Sequence, residues 1–161
     1  MVSLKSIWKF LEEVKDPEVP VLSIIDLGIV REVLFADQKA KITITPTYSG
    51  CPAMNHIEKD ISHVLKTKGI EFVEVETVLS PAWTTDWISE NGKKKLFEYG
   101  IAPPVDEPDK SILFAKPLEI QCPQCGSKDT SMVSLFGSTS CKAQYKCNTC
   151  LEPFDYFKCL K

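Results

Sequence analysis

KITITPTYSGCPAM (residues 41–54) changes its hydrophobic period halfway along. Lys41 to Thr45 alternate polar and apolar, as a half-buried strand does. Pro46 to Gly50 are turn residues. Cys51 or Pro52 then opens a helix running to about Lys68. Its apolar face is Met54, Ile57, Ile61, Val64 and Leu65, and Gly69 stops it. Strand, turn and helix thus meet at a single thiol. Proline favours the first helical position, which makes Cys51 the expected N-cap. There the unpaired N–H groups and the positive end of the helix dipole favour thiolate and lower the pKa. Three roles are open to it: a nucleophile, a ligand that holds or hands over a metal, or a cap with no chemistry.

Upstream, Ser3 caps a helix whose apolar residues recur at Ile7, Phe10, Leu11 and Val14. Pro17 and Pro20 forbid its continuation. Gly28 turns the chain into a strand, and FADQKAKI (35–42) reads as a hairpin connection. Downstream, FVEVETVL (72–79) alternates as a third strand, and a short helix over Glu90–Tyr99 ends at Gly100. The order α-β-β-α-β predicts an α+β fold, a small sheet with helices on one face, over residues 1–103. Residues 104–117 are proline-rich and read as a linker. Residues 118–161 form a second, cysteine-rich domain. Asp16, Glu18 and Asp26 read first as turn and capping residues. His56 and His63, seven apart on the second helix, read as surface residues.

The tail holds CPQC (122–125) and CNTC (147–150). Two residues between cysteines let both sulfurs of a tight turn face one ion. Two such turns on adjacent hairpins complete a tetrahedral four-thiolate site. Cys122, Cys125, Cys147 and Cys150 are therefore the expected ligands of a structural zinc in an all-β zinc ribbon, iron being the alternative for the same donors. The strands are expected in DTSMVSLFG (129–137) and SCKAQYKC (140–147). Cys141 shares a strand face with Cys147 at a distance that keeps it from the same ion. It is a packing residue or a separate reactive thiol. Cys159 is expected to pack.

Six of the seven cysteines fall after residue 121. In a chain whose N-terminus lacks a secretory signal, that pattern favours metal or thiol chemistry in the cytoplasm over disulfides. No apolar run approaches the ~20 residues that span a bilayer. Residues 1–117 carry 14 Lys+Arg against 18 Asp+Glu, a net of −4, and residues 118–161 carry 5 against 4, a net of +1. Neither has the basic face that nucleic acid requires. There is no Ser/His/Asp or Cys/His order and no phosphate loop. Enzyme activity is not expected.

DPEVPVLSIIDLGIV (16–30), TPTYSGCPAM (45–54) and SPAWTTDWI (80–88), in that order, resemble the small iron–sulfur assembly family. With the tail, nearly the whole chain resembles the family of the fourth subunit of the bacterial phenylacetyl-CoA epoxidase system. The resemblance implies an accessory role in phenylacetate catabolism: assembling or delivering an iron–sulfur cluster to client proteins of that system, its reductase first among them. It also implies that Cys51 is the functional thiol and transient cluster ligand, with Asp26 nearby. A non-catalytic structural or electron-transfer subunit is the alternative, and a homodimer is among the assemblies left open.

Overall fold

The computed structural model describes residues 1–105 and 118–158. Most of the expected linker and Cys159 lie outside the described residues. Contacts divide the chain into two compact units, Met1–Trp83 with Trp87–Gly92, and Thr84–Asp86 with Lys93–Lys161.

In the first unit, α1 (Leu4–Leu11) starts where Ser3 accepts a hydrogen bond from the Ser6 N–H, and it buries Ile7 and Leu11. Strands β1 (Val30–Ala36) and β2 (Lys39–Ile44) pair antiparallel. Asp37 and Gln38 join them with φ of 49° and 59°, the two left-handed positions a tight hairpin turn needs. After β2 the chain passes through the Cys51 turn into α2 (Ala53–Thr67) and returns as β3 (Phe72–Thr77), parallel to β2 from Lys39–Phe72 to Ile44–Thr77. Parallel neighbours need a crossover of this kind.

Alternation decides which face is covered. Val33, Ala40, Ile42 and Ile44 are buried on one side, with the α2 residues Ile57, Ile61 and Leu65. Each such aliphatic side chain contributes about 1.5–3 kcal/mol by leaving water. The opposite face is exposed. There Lys41 lies 2.9 Å from Glu76 and 3.5 Å from Glu74, beside exposed Leu34 and Phe72. The helices thus cover one face, as the sequence pattern predicts.

The helix α3 (Glu90–Tyr99) precedes the strands of the second unit: β4 (Ile101–Ala102), β5 (Thr130–Ser134), β6 (Lys142–Cys147) and β7 (Pro153–Phe157). They order as β4-β7-β6-β5, with β4 parallel to β7 and the others antiparallel. Ile101 and Ala102 therefore hydrogen-bond in the second sheet, although the expected domain boundary fell after them. Two apolar residues between Gly100 and Pro103 are too few to show a period. The core gathers Ala102, Ile120, Ala143, Tyr145, Phe154 and Tyr156, with the Tyr145 and Tyr156 rings edge to face at 5.5 Å. Among the described residues no helix is long and apolar enough to cross a membrane.

Candidate functional site

Two knuckles present the paired cysteines of the second unit. In the first, the Cys122 N–H donates to the Ser127 carbonyl and the Gly126 N–H to the Cys122 carbonyl. In the second, the Cys147 N–H donates to the Glu152 carbonyl and the Cys150 N–H to the Cys147 sulfur at 3.5 Å. Gly126 (φ 77°) and Leu151 (φ 65°) take the same left-handed place, four residues after the first cysteine of each pair.

The four cysteine sulfurs lie within 4.8 Å of one another. Cys122 and Cys150 are 3.7 Å apart, Cys125 and Cys147 3.6 Å. A tetrahedron with zinc–sulfur bonds of about 2.3 Å has edges of about 3.8 Å, so the donor set and its dimensions fit zinc. The Cys147 thiol is lowered to about 6 by the Cys150 backbone N–H. The Cys150 thiol is pushed up to about 12: the Glu152 N–H favours its anion, but burial and the sulfurs of Cys147, Cys125 and Cys122 outweigh it. Crowded thiolates resist sharing one site unless a cation joins them. Cys141 stands outside this group. It is buried just before β6, its sulfur 3.0 Å from the Thr139 hydroxyl.

The Cys51 turn differs from the expectation in two respects. The cap of α2 is Pro52, with φ −68° and no side-chain cap, so Cys51 stands one residue before the N-cap. Its thiol is also raised rather than lowered. Burial is the largest cause, the charges of Glu18 and Asp16 add to it, and the Ala53 N–H and the Tyr48 hydroxyl only partly oppose it. The helix start does act on the sulfur, through Ala53. It loses to desolvation and to two carboxylates that the fold brings from more than thirty residues upstream. Sequence reasoning missed Tyr48 and missed Asp16 and Glu18 as neighbours of the thiol. Their one legible signal was the DPEVP run with its two prolines.

The backbone fixes this arrangement. Gly50, with φ 77°, turns the chain into Cys51. The Cys51 N–H donates to the Tyr48 carbonyl, and the Met54 N–H to the Cys51 carbonyl, both at 3.3 Å. Asp16 is buried, and one of its carboxylate oxygens accepts from the N–H groups of Glu18 and Val19 at 2.8 Å each. That is the turn chemistry its position suggested. Thr45, at the start of the turn, has a buried hydroxyl with no hydrogen-bond partner among the described residues.

Asp26 serves a different junction. It is buried, and it exchanges hydrogen bonds with Ser23 as a capping box does: the Asp26 N–H donates to the Ser23 hydroxyl at 2.9 Å and the Ser23 N–H to Asp26 Oδ2 at 3.1 Å. Its Oδ1 accepts from Ser89 and Asn91 at 3.3 and 3.2 Å, and its carbonyl from the Ser89 N–H at 2.8 Å. These bonds tie the 23–28 turn to residues 89–91. The carboxylates that act on Cys51 are those of Glu18 and Asp16. His56 and His63 are exposed, as their positions suggested.

Two family models match the chain. Residues 4–78 match an iron–sulfur cluster assembly protein, and residues 106–158 match the PaaD zinc beta ribbon domain. Among curated proteins, the chain is 48% identical over 154 residues to the fourth subunit of the "Putative 1,2-phenylacetyl-CoA epoxidase" of Escherichia coli (strain K12), covering 96% of this chain and 92% of that one. It is 34% identical over 94 residues to an "Fe-S protein maturation auxiliary factor" of Porphyromonas gingivalis (strain ATCC BAA-308 / W83), covering 57% of this chain and 89% of that one. Among solved structures, a domain of unknown function, DUF59, from Bacillus anthracis superposes with a TM-score of 0.55 at 33% identity, covering 58% of this chain and 90% of that one. A conserved hypothetical protein of Thermotoga maritima gives 0.51 at 30% identity, covering 59% and 94%. Identity at this level across nearly the full length of both chains, with assembly domain and ribbon in the same order, means that the chain belongs to the PaaD family, that of the fourth phenylacetyl-CoA epoxidase subunit.

Proposed function

We propose that this chain is a cytoplasmic, non-catalytic accessory protein of a phenylacetyl-CoA epoxidase system, in which Cys51 transiently ligates iron or an iron–sulfur cluster bound for a client, the reductase component first. Membership of the PaaD family and likeness to a maturation factor support the setting. The observation that carries the mechanism is the raised thiol beside two carboxylates. A neutral thiol is a poor nucleophile. The same carboxylates that oppose thiolate attract a cation, and a bound cation removes the thiol proton. Tyr48 and the Ala53 N–H then stabilise the sulfur anion. The site therefore suits metal acceptance better than attack on an electrophile. Asp26 acts from the neighbouring turn as a positioning residue.

Cys122, Cys125, Cys147 and Cys150 hold a structural zinc in this reading, and Cys141 packs. When bound, the zinc joins the two knuckles and contributes folding energy to a small sheet. The ribbon presents the client-recognition surface, and clients of the epoxidase system are the partners. The division of labour belongs to the same proposal, the assembly domain acting and the ribbon, with Ile101–Ala102 joined to its sheet, recognising.

The test is elemental analysis with optical spectra on anaerobically purified wild type and Cys51→Ser, alongside epoxidase activity and reductase cluster content in cells carrying each. Zinc in both proteins, with iron and sulfide only in wild type and a depleted client in the variant, is the expected result. Full client cluster content in cells carrying Cys51→Ser overturns the role of Cys51. Iron in place of zinc at the ribbon, with a reversible redox signal, overturns the structural reading of the tail.

A further inference from the structure

Both histidines of the chain face one depression. It has a volume of about 310 Å³ and is lined by Glu13, Lys15, Asp16, His56, Asp60 and His63 among others. On α2, His56, Asp60 and His63 stand four and three residues apart. At about 100° per residue all three fall within roughly 60° of one another, and the Cα atoms of the two histidines lie about 10 Å apart along the axis with Asp60 between them. His56 Nε2 is already 3.4 Å from Asp60 Oδ2. The side chains of His56 and Asp60 are 65% and 42% exposed, so an ion reaching them keeps most of its water. His63 is also exposed and lines the same depression.

The opposite wall carries two carboxylates, both already engaged. Asp16 is buried there, and Glu13 is held by Lys68 at 2.8 Å. The one basic lining group, Lys15, donates its ammonium to the Glu12 carbonyl at 3.1 Å. Imidazole nitrogen with carboxylate oxygen and water is a donor set for ferrous-type divalent ions, distinct from the all-sulfur set of the ribbon.

We propose that this depression is a second metal site, in which His56 and Asp60 chelate a divalent transition ion and water fills the remaining positions, with His63 as a water-bridged neighbour on the same wall. The already close pair makes an i,i+4 chelate of the kind helices commonly provide. An open, hydrated site of this kind exchanges its ion readily, in contrast to the closed four-cysteine cage. Asp16, which lines the depression, is also one of the two carboxylates whose charge acts on the Cys51 thiol. The site stands on its own geometry, and its sense as an entry point for iron rests on the metal-handling reading of Cys51.

The experiment titrates Co²⁺ into the zinc-replete full-length chain by calorimetry, with absorption spectra and paramagnetic broadening of the imidazole resonances. One Co²⁺ per chain is expected, with the weak bands of nitrogen and oxygen coordination and broadening of both imidazoles. His56→Ala and Asp60→Asn are expected to weaken binding at least tenfold and His63→Ala severalfold, while Cys51→Ser leaves it unchanged. Equal affinity in wild type and His56→Ala overturns the site. So do intense thiolate-to-cobalt bands that vanish in Cys51→Ser, an outcome that leaves the Cys51 reading intact. Conversely, the expected cobalt result together with normal client clusters in Cys51→Ser cells retains this site and removes the function proposed for Cys51.

Discussion

Gly28 offers the sharpest test of the first unit's architecture. Its φ is 69°, and a Cβ added there would meet the Trp87 carbonyl oxygen at 2.2 Å, with the Trp87 carbonyl carbon and Cβ at 2.8 Å. The contact is with backbone, so no rotamer change relieves it. A left-handed alanine costs about 1–2 kcal/mol, and displacing a packed backbone adds about 1–3 kcal/mol. Gly28→Ala should therefore lose about 2–5 kcal/mol. Gly69 supplies the control, because its φ is 89° and nothing lies within 4 Å of an added Cβ. Gly69→Ala should lose only the left-handed term, about 1–2 kcal/mol. All three tryptophans, Trp8, Trp83 and Trp87, belong to the first unit. Their fluorescence therefore follows that unit in a urea titration. With a slope of about 1.5 kcal/mol per molar, the two midpoints should differ by about 0.7–2 M. Equal shifts in the two variants would refute the clash, and with it the close packing of the Gly28 turn on Trp87.

The remaining expectations concern single groups. Cys51 should alkylate with iodoacetamide more slowly at pH 8 than a free cysteine, its rate rising through a pH above the ordinary thiol range. Glu18→Gln and Asp16→Asn remove opposing negative charge, so each should move that profile to lower pH, whereas Tyr48→Phe should move it higher; shifts of opposite sign in a rate-against-pH series would sink the assignment. Thr45→Val replaces a buried hydroxyl that lacks a partner and should stabilise the first unit by about 1 kcal/mol, and a lower urea midpoint would show that the hydroxyl is engaged. Asp26→Asn turns an acceptor of Ser23, Ser89 and Asn91 bonds into a partial donor and should cost about 2–3 kcal/mol in the same titration. Strong chelation should abolish slow amide exchange in β5, β6 and β7 while tryptophan fluorescence holds steady; protection surviving metal removal would mean that the ribbon folds without its ion.

The parts of this molecule that are local in sequence were the legible ones. Alternation over Lys41–Thr45, the face of α2 and the two-residue cysteine spacings each record a contact made within a few residues. The Cys51 thiol was read with the wrong sign because its environment is not local. Asp16 and Glu18 arrive from before β1, and the burial of the sulfur depends on the assembled turn. Asp26 is bonded in a similarly non-local way. Its partners Ser89 and Asn91 are 63 and 65 residues away, and no periodicity announces such a pairing. The joining of Ile101–Ala102 to β7 is likewise a pairing across more than fifty residues by a strand too short to carry a pattern.

The parallel pairing of β2 with β3 has a consequence in time. The hairpin of β1 and β2 closes through a two-residue turn, an event of microseconds. Matching Lys39 with Phe72 must instead close a loop that contains the Cys51 turn and all of α2, and such long-range closure comes later. Until the Cys51 turn has assembled against residues 16–18, nothing opposes ionisation of its sulfur. A newly made chain carries Cys51 as an ordinary thiol, open to any oxidant or stray metal, and only the finished fold subdues it. The interval between synthesis and assembly of that turn is thus when this residue is most easily spoiled, and a variant that folds slowly would accumulate damage at Cys51 even if its final structure were unchanged.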